Sequence, residues 1–229
     1  LKLKPACLKL EGPVILPCLG LGVSTFVMLS TESFLSITFT ASLARYGGDL
    51  AVGAMTIITS VSQLVTLPLQ GVCQGGQPII SYNYGAGHGD RVKKTFFLVF
   101  SVCMTYTVLF WAALLLFPSV FAGIFTTNAE LSGYTSWALR IYMAGIFACG
   151  AQCSCQQSFM ALGQAKVSLL LACLRKIVLL IPLILILPHV LPFDPVFSVF
   201  LAEPVSDIAA AVITTITFLT RFNRILEMR

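Results

Sequence analysis

The sequence predicts an all-α integral membrane fold with six transmembrane helices, and two observations carry that prediction. Apolar residues make up 57% of the 229 residues and charged residues 10%, too little polar surface to coat a water-soluble domain. The apolar residues also fall in runs close to the roughly 20 residues a helix needs to cross the hydrocarbon core. Six such runs are read, at 14–43, 50–70, 94–117, 136–160, 167–187 and 196–219. Inside lipid every backbone polar group must be satisfied within the segment, which makes each run a helix.

The first run follows Lys2, Lys4 and Lys9, as in a signal peptide, but it is too long and no cleavage pattern follows it, so it is expected to stay in the protein. An even number of spans puts both termini on one side. Lys2, Lys4, Lys9, Arg91, Lys93, Lys94, Lys166, Arg221, Arg224 and Arg229 fall on that side, whereas Arg45 falls in an opposite loop. The positive-inside tendency then makes both termini cytoplasmic in a multi-pass inner-membrane protein. The net charge of +5 follows from this asymmetry, with bilayer headgroups as the anionic partner and no call for nucleic acid. The chain divides into a basic linker at 1–12, a membrane lobe at 13–221 and a tail at 222–229.

The eight cysteines, Cys7, Cys18, Cys73, Cys103, Cys149, Cys153, Cys155 and Cys173, lie in spans or on the cytoplasmic side, so no disulfide framework is expected. Cys149 and Cys153 share a helix face, yet no histidine or acid is near to complete a metal site, and none is expected. His88 and His189 read as loop residues at opposite membrane faces and cannot meet as one catalytic base, and no nucleotide-binding glycine loop is present, so no enzyme is expected.

Polar residues on one face of an apolar helix must line protein or water. Counting 100° per residue puts Thr56, Thr59, Ser60, Gln63, Thr66 and Gln70 within an arc of roughly 120° on the second span. On the fourth span Tyr142, Gly145, Cys149, Gln152, Cys153 and Gln156 share a face. Thr59, Gln63, Tyr142, Gln152 and Gln156 are the cavity-lining candidates; helix packing is the alternative for the stripe, and an interfacial anchor is the alternative for Tyr142. Glu32 lies mid-span on a face shared with Thr25 and Ser36, with no neutralising cation near it on its own helix. A carboxylate at that depth costs at least about 2.5 kcal/mol, which a proton, a sodium ion, a cationic substrate or a buried ion pair would have to offset. The last two spans carry Arg175 and Lys176, then Glu203 and Asp207. With the hairpin centred near Leu191, Arg175 and Asp207 fall at one depth, which predicts a structural charge pair, with direct substrate contact as the alternative.

The densest motif is Gly71-Val-Cys-Gln-Gly-Gly-Gln-Pro-Ile-Ile-Ser-Tyr-Asn-Tyr-Gly-Ala-Gly-His-Gly-Asp-Arg-Val-Lys-Lys94, read as the close of the second span and a basic loop. It resembles the end of the eighth helix of the multidrug and toxic compound extrusion (MATE) family. Tyr46-Gly-Gly-Asp-Leu-Ala-Val-Gly-Ala54, Gln157-Ser-Phe-Met-Ala-Leu-Gly-Gln-Ala-Lys166 and Leu174-Arg-Lys-Ile-Val-Leu-Leu-Ile-Pro182 resemble three more stretches of that family in the same order. The resemblance implies helices seven to twelve of a twelve-helix transporter of the bacterial multidrug branch, with an N-terminal six-helix lobe as missing partner.

It further implies a sodium- or proton-coupled antiporter that exports cationic or amphiphilic compounds by alternating access, with no cofactor. Relatives carry a functional acid on the helix of Glu32; some carry a second on the tenth helix, and the run 136–160 has none. Gly71 to Pro78 would serve as a flexing point or as a close-packed helix end. A lipid-linked polysaccharide flippase of the wider exporter superfamily and a non-transporting fragment are the other readings.

Overall fold

The computed structural model describes residues 12–227, so most of the predicted linker, with Cys7, and the last two residues of the tail lie outside the described residues. The chain forms six long helical legs. The first helical run, Gly12–Gly85, bends at Gly48, whose φ of 63° and ψ of −159° suit glycine alone, and so divides into α1 (12–47) and α2 (49–85). Beside the bend, a Cβ on Gly47 would lie 2.5 Å from Ala51 Cβ and 3.0 Å from Val196 Cγ2, so both glycines of the Tyr46-Gly-Gly-Asp motif are required by local geometry.

Helix α2 corrects the sequence reading. The Gly71 to Pro78 stretch does not close the span at residue 70; the helix continues to Gly85 without a further break. A break there would leave backbone groups unsatisfied in the bilayer, so the glycines and proline are carried within the helix. Close packing is visible at Gly76, where a Cβ would meet Val99 Cγ2 at 2.6 Å. The turn comes at Gly87, φ 76°, where His88 N–H donates to the Asn83 carbonyl at 2.9 Å.

From that turn α3, Gly89–Leu116, runs back, and α4, Pro118–Phe125, is a short helix that the sequence reading did not anticipate. Helix α5, Ala129–Tyr142, begins at Asn128, whose side chain accepts from Glu130 N at 2.9 Å and Leu131 N at 3.4 Å. It tightens into a 3₁₀ segment at Met143–Ala148 and continues as α6, Cys149–Ala161, so the predicted run 136–160 is one leg with an irregular middle. The fifth leg is α7, Ala165–Cys173, a π-helical segment at Leu174–Leu180, and α8, Ile181–Val190, while α9, Pro195–Glu227, is the sixth. His189 belongs to the last turn of α8 rather than to a loop, with Nδ1 3.0 Å from the Leu185 carbonyl.

Neighbouring legs satisfy the irregular segments. Trp111 Nε1 donates to the Ala144 carbonyl at 3.1 Å and Thr107 Oγ1 to the Phe147 carbonyl at 3.3 Å, so α3 supplies donors to the 3₁₀ turn. Ser206 Oγ on α9 donates to the Arg175 carbonyl of the π segment at 3.2 Å. Both distortions are thereby fixed in register.

The two larger of the three apolar clusters among the described residues hold the legs together. One joins α1, α2, α5, α8 and α9 through Phe39, Leu43, Ile58, Met143, Ile184 and Phe200. The other stacks Phe96 of α3, Phe159 of α6 and Phe218 and Phe222 of α9, with Phe96 and Phe218 centroids 4.5 Å apart. Large apolar side chains such as Phe34, Ile37, Leu98, Leu109 and Ile216 remain exposed on the outside, as a lipid-facing surface requires. Among the described residues four stretches are long and apolar enough to cross a membrane: Ser30–Gly85, which contains the Gly48 bend, Gly89–Leu116, Lys166–Val190 and Pro195–Phe222. The fourth leg is not among them because the 3₁₀ segment divides it into helices of 14 and 13 residues.

Candidate substrate cavity

Between α1, α2, the α5–α6 leg, the π segment and α9 lies a cavity of about 440 Å³. Thr59, Gln63, Thr66 and Gln70 of α2 line one side, so four of the six residues of the counted stripe face this space over three turns, while its Thr56 and Ser60 lie outside the lining. Its hydroxyls are turned back onto their own helix: Thr59 Oγ1 donates to the Met55 carbonyl at 2.8 Å and Thr66 Oγ1 to the Ser62 carbonyl at 3.0 Å. The glutamine amides are the stripe's larger polar groups facing the opening.

Opposite them stand Tyr142, Cys149, Gln152, Cys153 and Gln156. Tyr142 is held edge-on by Phe39 at 5.8 Å and Phe200 at 6.4 Å, which places it in the interior wall and not as an interfacial anchor. Gln152 is buried, and its Oε1 has no hydrogen-bond partner within the protein, leaving an acceptor beside the cavity. Gly145, on the same counted face, does not line the space; it packs against Pro204.

Charged groups close the floor. Arg175 Nη2 lies 2.5 Å from Asp207 Oδ1 and 3.2 Å from Glu203 Oε1, both acids on α9 and both almost fully buried. All three line the cavity as well as joining two legs. The neighbouring Lys176 turns the other way and ion-pairs with Glu32 of α1. Consecutive residues on a helix project in different directions, so the two bases reach different partners. Glu32 stays 57% exposed and Lys176 14%, so the acid is the partner reachable from the opening.

Sequence reasoning missed Lys176 as Glu32's partner, because the cation comes from a helix 144 residues away. Its signal was an intramembrane lysine with no partner on its own span. Two other candidate positions differ from the rest: Ser36 is exposed and outside the cavity lining, and Thr25 has its side chain outside the described residues. Elsewhere, Cys73 Sγ and Cys103 Sγ lie 3.7 Å apart between α2 and α3, and among the described residues no group of three or more His, Cys, Asp or Glu side chains is placed to hold a metal.

The family model described as MatE matches residues 24–186, well over half of the chain. The chain belongs to the MatE family. Among curated proteins it is similar to the multidrug export protein MepA of Staphylococcus aureus (strain NCTC 8325 / PS 47), with 26% identity over 200 residues, covering 84% of this chain and 42% of MepA. MepA of Staphylococcus saprophyticus is 24% identical over 208 residues, covering 87% of this chain and 44% of that protein.

Two solved structures share the MATE fold. A MATE crystal structure in the bent conformation has a TM-score of 0.88 at 15% identity, covering 100% of this chain and 50% of the other. The outward-facing conformation of a multidrug resistance MATE family transporter of the MOP superfamily has a TM-score of 0.87 at 16% identity, covering 99% and 51%. The chain spans about half the length of the curated relatives it matches. It has the fold of one six-helix MATE lobe, embedded in a membrane.

Proposed function

We propose that this lobe is the C-terminal half of a cation-coupled multidrug antiporter that exports cationic or amphiphilic compounds by alternating access, with both termini cytoplasmic. It is not an enzyme in this reading: its polar groups bind and release cargo. The observation that carries the reading is the charge balance of the cavity. Glu32, Glu203 and Asp207 contribute three carboxylates against the two bases Arg175 and Lys176, leaving room for one further positive charge. In a low-dielectric wall an uncompensated carboxylate is costly, so the site favours one added proton, sodium ion or monocationic substrate at a time. Mutually exclusive occupancy by ion and substrate is the requirement for antiport.

The surrounding chemistry supports a broad cationic cargo. Tyr142 offers an aromatic face to a flat cation, a contact worth about 1–2 kcal/mol when desolvated, and the glutamine amides of Gln63, Gln152 and Gln156 donate or accept as the cargo requires. The second wall would come from an N-terminal six-helix lobe, with this cavity opening towards it. Reconstitution of the complete two-lobed transporter in proteoliposomes with an imposed sodium or proton gradient tests the proposal. Ethidium should move against its gradient only while one of those ion gradients is held. Transport indifferent to both gradients, or movement of lipid-linked saccharide in place of ethidium, would overturn it.

A further inference from the structure

We infer that Lys176 is a tethered competitor for the substrate cation, an ammonium resident on Glu32 that an incoming monocation displaces and that returns to expel it. The inference rests on the proposed role of the cavity and adds to it a residue that sets affinity and release.

Three observations lead there. Glu32 is the most exposed of the cavity's three carboxylates, so a cation entering from the opening meets it first, and it is already paired with Lys176. Lys176 sits on a flexible four-carbon stem with no rigid fork holding its head, unlike Arg175, whose guanidinium faces two acids. The displaced ammonium also has a destination. Glu203 and Asp207 share a single guanidinium, so α9 carries one acid more than Arg175 can neutralise, and Lys176 is the next residue after Arg175 on the same segment.

With a monocation on Glu32 and Lys176 swung towards α9, three positive charges meet three negative ones. When the ammonium swings back, it offers Glu32 a partner that is covalently attached and therefore always present. Binding is weakened by the same contact that hastens release, since any cation must compete with a ligand of fixed local concentration.

The test is equilibrium binding of tetraphenylphosphonium to the complete transporter in detergent, for wild type, Lys176→Met, Lys176→Gln, Lys176→Arg and Glu32→Gln. Lys176→Met and Lys176→Gln should each bind roughly fivefold or more tightly than wild type, the lower end of an ordinary coupling between two sites, with slower release. Lys176→Arg, whose guanidinium fork can hold Glu32 through two bonds, should bind more weakly than wild type. The half-exposed Glu32 can hydrate once unpaired, so the two neutral variants should fold, with thermal unfolding as the control. Adding Glu32→Gln to Lys176→Met should erase the gain. Unchanged or weaker binding in both neutral variants, with Glu32→Gln defective, overturns the competitor role and leaves the cavity assignment standing. Wild-type binding by Glu32→Gln overturns the assignment of Glu32 and the inference with it.

Discussion

Gly145 faces Pro204 so closely that a Cβ on the glycine would lie 2.8 Å from Pro204 Cα and 2.9 Å from its carbonyl oxygen. The 3₁₀ segment and α9 therefore touch backbone to backbone, at the level where Glu203 presents its carboxylate to Arg175. Gly145→Ala should cost about 1–3 kcal/mol by overpacking, because the obstructing atoms are main chain and cannot rotate aside. Thermal unfolding in detergent should show the loss; Gly123→Ala, with open space around it, is the control and should be near neutral.

Asp207→Ala is expected to damage folding or expression and, because it also removes the cavity's one uncompensated negative charge, to impair transport by the molecules that do fold. It removes the nearer of Arg175's two acids, and breaking a buried pair costs about 3–5 kcal/mol, with Glu203 keeping the loss towards the lower end. Exchanging the residues, Arg175→Asp with Asp207→Arg, should recover part of the yield. Normal expression and thermal unfolding of both single variants would show that the pair is no strut between the two legs.

The aromatic stack offers a test of packing away from the cavity. Phe218 is fully buried, with Phe159 5.0 Å and Phe222 4.7 Å away between ring centroids. Phe218→Ala should destabilise by about 3–5 kcal/mol, whereas Leu219→Ala, on the exposed side of the same helix, should change little.

Expressed by itself, the 229-residue chain should not protect cells from ethidium. One wall of a cavity cannot alternate between two faces of the membrane, and accumulation should match empty vector. Gradient-dependent efflux from this chain alone would point to a working dimer of lobes.

The helical legs were legible because apolar runs of bilayer length have one viable backbone state, and the stripe residues Thr59, Gln63, Gln152 and Gln156 could be found by counting around a helix. What stayed hidden depended on other legs. The extension of α2 through Gly71 to Pro78 runs against local propensity and is carried by the bilayer and by α3 packing at Gly76. The 3₁₀ and π segments are fixed by Trp111, Thr107 and Ser206, whose acceptors are distant in sequence. Ser36 lies outside the lining although Leu35 beside it lies within, so the face it was counted to share with Glu32 was too broad to place it. The pairing of Glu32 with Lys176 joins the first leg to the fifth, which no periodicity within one span can reveal.

The central claim is that Glu32 exchanges one positive charge with the cavity. Glu32→Gln keeps the size and hydrogen bonding of the side chain while removing that charge, so the complete transporter should still insert and unfold at a similar temperature. The deciding measurement is ethidium transport by this variant in membrane vesicles with imposed sodium and proton gradients. Gradient-driven transport should fall to background under both. Undiminished transport under either gradient would contradict that claim and leave Glu32 as the structural partner of Lys176.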